Sequence, residues 1–286
     1  MSYLSPKKFV IFYHPNVRQS LGLAQEIAAF INDHGASAEY SSIDDEAKRA
    51  RAGEADMLIS LGGDGTMLRV GRIGAFKSQP VLGINLGRLG FIVDVQPDEW
   101  RDVVERILRG EYRIEERLML HASHNRGGAT LDSFEVLNEV VVARGNVVRP
   151  IRLHTMVDND PLANYVADGL IIATPTGSTA YAMAAGGPVM PPTARNIIIV
   201  PLAAHLSPDR PVVLLPDMVI EITVRTEHQA VFSADGQTST LLQDGDLVRI
   251  QTSRHTARFV RMRPPAHFYK SLAERMANNP TADKAK

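Results

Sequence analysis

The chain has 286 residues, a length that allows one large domain or two of ordinary size. Hydrophobic residues make up 44% of the sequence and charged residues 22%, which is typical of globular proteins rather than disordered chains. The 31 lysines and arginines nearly balance the 32 aspartates and glutamates, whereas a nucleic-acid-binding protein is usually visibly basic. The absence of cysteine excludes disulfides, thiolate metal sites and cysteine nucleophiles.

No segment has the length and hydropathy of a membrane span. The longest apolar run, residues 197–204, is interrupted by Pro201 and falls far short of the roughly 20 residues that cross a bilayer. The apolar run at 9–13 is too short for the hydrophobic part of a signal peptide. Together with the lack of cysteine, these features predict a cytoplasmic protein that has neither a membrane nor a nucleic acid as partner.

The first third of the sequence alternates strand and helix patterns. Short apolar runs indicate buried strands, and apolar residues at helical spacing indicate helices between them. This alternation is typical of a parallel sheet with helices on its faces. The predicted strands are 9–13, 57–61 and 81–85, and the predicted helices are 21–31, one that starts near Thr66, and 100–109.

From about residue 116 the sequence changes to polar and apolar alternation separated by turn residues, which predicts a mostly antiparallel β-rich domain. Residues 268–276 predict a final short helix, and the polar residues after it predict a frayed tail. We therefore predict an α/β domain with a parallel sheet over 1–116, a β-rich domain over 117–262, and a C-terminal helix with a frayed tail over 263–286.

A glycine-rich loop, Gly62-Gly63-Asp64-Gly65-Thr66, lies between a predicted strand and a predicted helix. Open α/β sheets bind ligands at such positions, where glycines let the backbone approach a phosphate and the helix N-terminus supplies N–H donors. The loop lacks the lysine of a Walker motif. A carboxylate there suits a proton acceptor or a Mg²⁺ ligand in phosphoryl transfer. The alternative is a tight turn in which Asp64 caps the helix.

Small and hydroxyl-bearing residues are most concentrated between Asp168 and Pro188. A predicted buried strand at 170–173 leads into a loop that can form the floor of a polar pocket, with Tyr181 offering a flat face to a base. The alternative for this loop is ordinary turn and cap chemistry. Asn138-Glu139 lies between two apolar runs and suits either an adenine edge and a ribose hydroxyl or a plain strand end.

Together these segments resemble the NAD kinases. Their order and spacing agree over roughly residues 57–240. The glycine loop alone is shared with diacylglycerol-type lipid kinases and, loosely, with phosphofructokinases, whereas residues 168–181 are characteristic of NAD kinases. The matching segments are 62–66, 83–91, Asn138-Glu139, 168–181, 186–188 and 235–237.

The resemblance implies an enzyme that transfers the terminal phosphate of ATP, or of polyphosphate, to the 2′-hydroxyl of the adenosine ribose of NAD, giving NADP. It implies that Mg²⁺ or another divalent cation accompanies the phosphate donor. It also implies an active site in the cleft between the two domains, and a homodimer or homotetramer in which a neighbouring subunit contributes to the site. The alternatives are a lipid or sugar kinase with the same glycine loop, and a dinucleotide-binding regulator without catalysis.

The resemblance further assigns site residues, with Asp64 as the general base and Tyr181 beside the adenine. No residue is assigned as a metal ligand. Two positions before Asp168, where the family often has a basic residue, this sequence has Val166. The implied NAD contacts are Asp64, Gly65, Arg69, Asn138, Glu139, Arg149, Asp168, Thr179, Ala180, Tyr181, Ala182, Met183, Ala184, Ala203 and Gln237.

Overall fold

The structure is a computed structural model of the chain, and it describes residues 5–87, 90–205 and 207–277. Part of the predicted frayed tail, residues 278–286, lies outside the described residues. The same holds for Arg88 and Leu89, which belong to the 83–91 segment of the family resemblance.

The described residues form two compact units. The first contains residues up to Glu116 together with those from Ala257 onward, and the second contains residues 117–256. The chain passes between the units within two long strands, β5 (Arg113–Arg126) and β16 (Leu247–Arg261). The domain boundaries drawn from the sequence stay predictions.

The first unit is built on a parallel sheet with the strand order β2-β1-β3-β4 followed by the end of β16. Its central strands are buried on both faces, which explains why uninterrupted apolar runs predicted them. The strands are β1 (Lys8–Tyr13), β2 (Ser37–Ser42), β3 (Met57–Gly62) and β4 (Pro80–Asn85). The helices are α1 (Ser20–Asp33), α2 (Glu46–Arg51), α3 (Asp64–Ala75), α4 (Trp100–Leu108) and α6 (His267–Ala277).

Helix α1 follows its predicted apolar pattern, whereas α2 was not predicted. In α1 the residues Ala24, Ile27 and Ile31 are buried in the core, and the chain leaves the helix through Gly35, whose φ is 79°. Helix α3 begins two residues earlier than predicted, because Gly63 takes the N-cap position.

The second unit is antiparallel. One sheet has the order β16-β13-β8-β9, and the other has the order β12-β11-β10-β7-β14-β15. A core that includes Leu153, Tyr165, Phe232 and Ile222 draws residues from both sheets. Its remaining elements are β6 (Ala129–Val136), β7 (Glu139–Arg144), β8 (Ile151–Val157), β9 (Asp160–Ala167), β10 (Gly169–Ala173), α5 (Tyr181–Ala184), β11 (Ile197–Leu202), β12 (Val212–Leu214), β13 (Ile220–Arg225), β14 (Ala230–Ala234) and β15 (Thr238–Leu242).

The parallel first unit and the antiparallel second unit confirm the predicted fold class. Along the described part of the chain, none of the helices combines the length and the apolar character that crossing a bilayer requires.

Candidate active site

The glycine loop places Asp64 at the first position of helix α3. Strand β3 is buried along its whole length and ends at Gly62, and Gly63 then continues in an extended conformation. A Cβ at Gly62 would lie 2.3 Å from the Thr66 Oγ1, so only glycine fits the turn from strand to helix. A Cβ at Gly63 or Gly65 would have no neighbour within 4 Å among the described residues, which leave the start of α3 open at these two positions.

The carboxylate of Asp64 accepts hydrogen bonds from three consecutive backbone N–H groups of a distant segment. The Phe91 N–H donates to Oδ2 at 2.7 Å, and the Ile92 and Val93 N–H groups donate to Oδ1 at 3.1 and 3.3 Å. Gly90 permits this approach, because a Cβ there would lie 2.3 Å from the carboxylate atoms. Asp64 is therefore bound by a remote segment and does not cap its own helix, which was the alternative drawn from the sequence.

This arrangement leaves the half-buried Asp64 carboxylate able to accept a further hydrogen bond. Each carboxylate oxygen offers two lone pairs. Oδ1 receives two of the three backbone donors and Oδ2 only one. Among the described residues, Oδ2 therefore has more remaining acceptor capacity than Oδ1.

Arg69 lies on α3, but its guanidinium is engaged elsewhere in the first unit. Its Nη2 donates to Asp44 Oδ1 at 2.7 Å and to the Ile43 carbonyl at 3.4 Å. The hydrogen bond from Arg69 lowers the pKa of Asp44 below its ordinary value, with a smaller electrostatic contribution from the same cation. The NAD contact implied for Arg69 stays a prediction.

In the second unit, Asp235 holds the backbone of Asn138 and Glu139. Its carboxylate accepts the N–H groups of Leu137, Asn138 and Glu139 at 2.7 to 3.3 Å, and its own N–H donates to the Glu139 carbonyl at 3.0 Å. Asp235 is buried and has a left-handed backbone, with φ 51°. The sequence reasoning missed this anchor, although an Asp-Gly pair after an apolar run, as at Asp64, was a usable signal.

Two buried acceptors next to this anchor have no donor within the described part of the chain. Asn138 Oδ1 and Glu139 Oε2 receive no hydrogen bond from the described residues. Burial, and secondarily the negative charge of Asp235, raise the pKa of Glu139 from 4.5 to about 7. Because buried acceptors without donors are costly, both atoms indicate a place where a ligand or water donates hydrogen bonds.

The hydroxyl-rich loop after β10 packs against the same backbone. The Thr174 N–H donates to the Asn138 carbonyl at 2.9 Å, and the Thr174 hydroxyl donates to the Leu137 carbonyl at 2.6 Å. A Cβ at Gly177 would lie 2.2 Å from the Asn138 carbonyl oxygen, so glycine is required for this close approach. The loop is therefore built onto Asn138 and brings α5 to this end of the sheet.

The predicted contacts 179–184 follow in this loop and in α5. Tyr181 is 48% exposed, so its ring is available for stacking, whereas Ala182 belongs to the apolar core. Thr179, Ala180 and Met183 are half-buried, and Ala184 is exposed. Gln237 is exposed in the turn after β14, the strand whose last residue, Ala234, pairs with Val140 at the same end of the sheet.

Asp168, Arg149 and Ala203 lie at the opposite end of this sheet. The register of β10 with β7 pairs Ala173 with Glu139 at one end and Gly169 with Ala143 at the other. Asp168 is therefore displaced along the strands by roughly 16 Å from Glu139, at about 3.3 Å per residue.

At that opposite end Asp168 forms an ion pair with Arg144, whose Nε lies 2.9 Å from Asp168 Oδ1. The Asp168 N–H donates to the carbonyl of Leu202, the residue before Ala203. Arg149 is exposed in the loop that follows β7. In the second unit, the predicted NAD contacts around Glu139 therefore lie together at one end of the sheet. Asp168, Arg149 and Ala203 lie at the other end.

Family models match both halves of the chain. A model described as the ATP-NAD kinase N-terminal domain matches residues 4–112, and one described as the ATP-NAD kinase C-terminal domain matches residues 137–262. A protein named NAD kinase from Chloroflexus aurantiacus is 36% identical over 94% of this chain and 98% of its own length. An NAD kinase from Geotalea daltonii is 38% identical over 92% of this chain and 95% of its own length.

Two solved structures share the fold. A yeast NADH kinase complexed with NADH has a TM-score of 0.83 at 21% identity, over 97% of this chain and 90% of that one. An NAD kinase from Archaeoglobus fulgidus in complex with ATP has a TM-score of 0.75 at 24% identity, over 93% of this chain and 98% of that one.

The fold and the matched domains define a phosphotransferase built from an α/β unit and a β-rich unit. The chain belongs to the NAD kinase family, which confirms the resemblance found in the sequence. The lipid-kinase, sugar-kinase and regulator alternatives are not favoured by these relatives.

Proposed function

We propose that this chain phosphorylates NAD at the 2′-hydroxyl of its adenosine ribose, with ATP as the donor, and so makes NADP. The observation that carries the proposal is the Asp64 carboxylate, held at the start of α3 by three backbone N–H groups in a chain of the NAD kinase family. A ribose hydroxyl is a weak nucleophile at neutral pH. Asp64 accepts its proton as the hydroxyl oxygen bonds to the terminal phosphorus of ATP and the bond from that phosphorus to the departing ADP oxygen breaks. Such proton acceptance is typically worth about 10²–10⁴-fold in rate.

We further propose that the N-terminus of α3 stabilises the negative charge of the ATP phosphates. Negative charge on the donor phosphates is stabilised by N–H groups at a helix N-terminus, and the open positions at Gly63 and Gly65 allow close approach. A divalent cation on the donor phosphates neutralises further charge when it is bound. Within the described ranges, no three His, Cys, Asp or Glu side chains cluster as a metal site. The phosphates and water would then supply most of its ligands.

Recognition of NAD is assigned to the second unit. Asn138 Oδ1 and Glu139 Oε2 are buried acceptors that no described residue donates to, which suits ribose hydroxyls and the adenine amino group. Tyr181 offers an exposed ring on which the adenine stacks. The two similar structures hold NADH and ATP, which supports a dinucleotide and a nucleotide as the ligands.

The positions of Asp168, Arg149 and Ala203, at the end of the second unit's sheet far from Glu139, favour a homo-oligomer. If Asp168, Arg149 and Ala203 contact NAD as the resemblance implies, we infer that a second copy of the chain brings them to the site, since one copy holds Asp168 roughly 16 Å from Glu139. Mixing an inactive Asp64→Asn protein with an inactive Asp168→Ala protein tests this. After subunit exchange at equal concentrations, half of the dimers are mixed and each mixed dimer has one complete site, so the mixture should regain up to about one quarter of the wild-type activity. No recovery after subunit exchange contradicts the shared site.

The activity is tested by incubating the purified protein with NAD and MgATP and detecting NADP with an NADP-specific dehydrogenase. Formation of NADP is the expected result, and a parallel arm with polyphosphate decides whether that donor is also used. Binding of NAD without NADP from either donor would overturn the proposal and indicate a non-catalytic binder. A cytoplasmic location stays a prediction.

A further inference from the structure

We propose that Arg261 is a positioning residue for the transfer step, acting on Asp64 through the backbone of residues 92–93. The inference rests on the base function proposed for Asp64. Arg261 is the last residue of β16 and belongs to the first unit. Its side chain is only 3% exposed, which is rare for an arginine and calls for a specific set of partners.

The partners of the Arg261 guanidinium lie around the segment that holds Asp64. Nη1 donates to the Ile92 carbonyl at 2.8 Å and lies 3.3 Å from Asp94 Oδ2. Nε donates to Glu115 Oε1 at 2.9 Å. Two carboxylates and a carbonyl therefore compensate the buried cation, and the cation in turn attaches the segment at Ile92 and at Asp94.

One peptide unit joins Arg261 to Asp64. The Ile92 carbonyl that accepts the Arg261 hydrogen bond shares its peptide with the Val93 N–H, which donates to Asp64 Oδ1 at 3.3 Å. In a planar trans peptide the C=O and N–H bonds point in opposite directions, so fixing the carbonyl also fixes the N–H. A charged donor on the carbonyl additionally polarises the peptide and strengthens the N–H bond to Asp64.

This connection predicts a loss of turnover rather than of affinity. Without the guanidinium, the 92–93 peptide is free to rotate, and the Asp64 carboxylate loses one of the donors that orient it. A displacement of about 1 Å at a reacting group can cost up to about 10²-fold in rate. The NAD-binding side chains proposed for the second unit are not part of this network, so the KM for NAD is expected to stay nearly constant.

A matched control lies three residues earlier on the same strand. Arg258 also pairs with a carboxylate and a carbonyl in the first unit, with Nη2 3.1 Å from Glu116 Oε1 and Nη1 3.3 Å from the Ser78 carbonyl. These partners lie outside the segment that holds Asp64. The Arg258 side chain is 40% exposed, so Arg258→Gln tests whether the loss of a more exposed arginine network on the same strand lowers turnover.

The experiment measures kcat, the KM for NAD and the thermal midpoint for Arg261→Lys, Arg261→Gln and Arg258→Gln. We expect both Arg261 variants to lower kcat about 10- to 100-fold with KM within twofold, and Arg258→Gln to keep kcat within twofold. If Arg261→Gln does not fold, Arg261→Lys decides, because it keeps one cation between the two carboxylates. A kcat for Arg261→Lys equal to that of the control overturns the proposal.

A double-mutant cycle separates action through Asp64 from a general structural effect. Adding Arg261→Lys to Asp64→Asn is expected to lower the residual kcat less than twofold, because the group being positioned has already lost its function. A further loss as large as that in the wild-type background overturns the proposal. Wild-type turnover of Asp64→Asn alone would instead overturn the proposed base, so the two failures are distinguishable.

Discussion

Asp64 in the first unit and Asp235 in the second use the same device for different purposes. Each carboxylate accepts three consecutive backbone N–H groups from a segment far away in sequence, and each is followed by glycine. Asp235 is 7% exposed, whereas Asp64 is half-buried at the start of a helix.

The difference in exposure between Asp64 and Asp235 points to different functions for the two carboxylates. In the first unit the backbone orients the carboxylate of Asp64, for which we propose the function of general base. In the second unit the carboxylate orients the backbone, and the side chains of Asn138 and Glu139 each keep an acceptor that receives no hydrogen bond from the residues the structure describes. A shared local geometry is therefore compatible with either a catalytic or a supporting carboxylate, and the accessibility of the oxygens indicates which one is present.

The largest expected effect is that of Asp64→Asn on turnover. The amide preserves the shape of the side chain but cannot accept a proton, so we expect kcat to fall at least about 100-fold. Titration calorimetry should show NAD binding close to wild type, because the NAD contacts proposed for the second unit are intact. Near-wild-type kcat in a folded protein would remove Asp64 from the base function and would make the two aspartates equivalent supports.

Asp235→Ala is expected to have its main effect on stability. It leaves three buried N–H groups without their acceptor, at a cost on the order of 3–5 kcal/mol in the free energy of unfolding. Denaturant unfolding measures this loss, and NAD affinity should fall with it because Asn138 and Glu139 are no longer held. An unfolding free energy as high as in the wild type would show that Asp235 is not an anchor.

The raised pKa of Glu139 predicts a pH dependence of stability. A raised carboxyl pKa favours the protonated folded state, so the stabilisation is fully present below pH 4.5 and is lost as the pH rises through about 7. Between pH 5 and 8, the wild type should lose on the order of 2–3 kcal/mol relative to Glu139→Gln, which has no such titration. If the free energy of unfolding of the two proteins changed equally with pH across this range, the raised pKa of Glu139 would be contradicted.

Gly90→Ala tests the position of the Asp64 carboxylate by changing the segment that donates hydrogen bonds to it. The new Cβ would lie 2.3 Å from the Asp64 carboxylate and must displace it, so we expect kcat to fall about 10-fold with little change in NAD affinity. Gly22→Ala in α1 is the matched control, because its Cβ meets nothing within 4 Å. The control should raise the free energy of unfolding by about 0.5–1 kcal/mol and leave kcat unchanged. Equal kcat in both variants would indicate that Asp64 tolerates displacement.

Local sequence patterns predicted the strands that are buried on both faces. Strands β1, β3 and β10 are buried on both faces, so their apolar runs predicted them to within one residue at each end. Strand β2 was missed, because as an edge strand with polar residues it has no apolar periodicity. The start of α3 was placed two residues late, because the N-cap function of Gly63 is set by the backbone.

In the candidate site, too, local sequence predicted some residues but not the long-range contacts that position them. Asp64 stood out because a carboxylate among glycines conflicts with simple anion binding. The partners of Asp64, Asp235 and Arg261 were not predictable, because hydrogen bonds that join residues 27 to 169 positions apart leave no trace in local spacing. The displacement of Asp168 from Glu139 likewise depends on strand register, which is set by pairing rather than by composition.

The return of β16 to the first unit has a consequence for biosynthesis. Arg258 and Phe259 supply the strand that pairs with β4, and Val260 completes its core. The ribosome therefore makes most of this unit first but must add roughly 140 intervening residues, at about 5–20 per second, before the last strand is available. The second unit is contiguous and has no such delay. The nascent first unit consequently exposes the free edge of β4 for several seconds, the period in which chaperone capture and aggregation compete with folding.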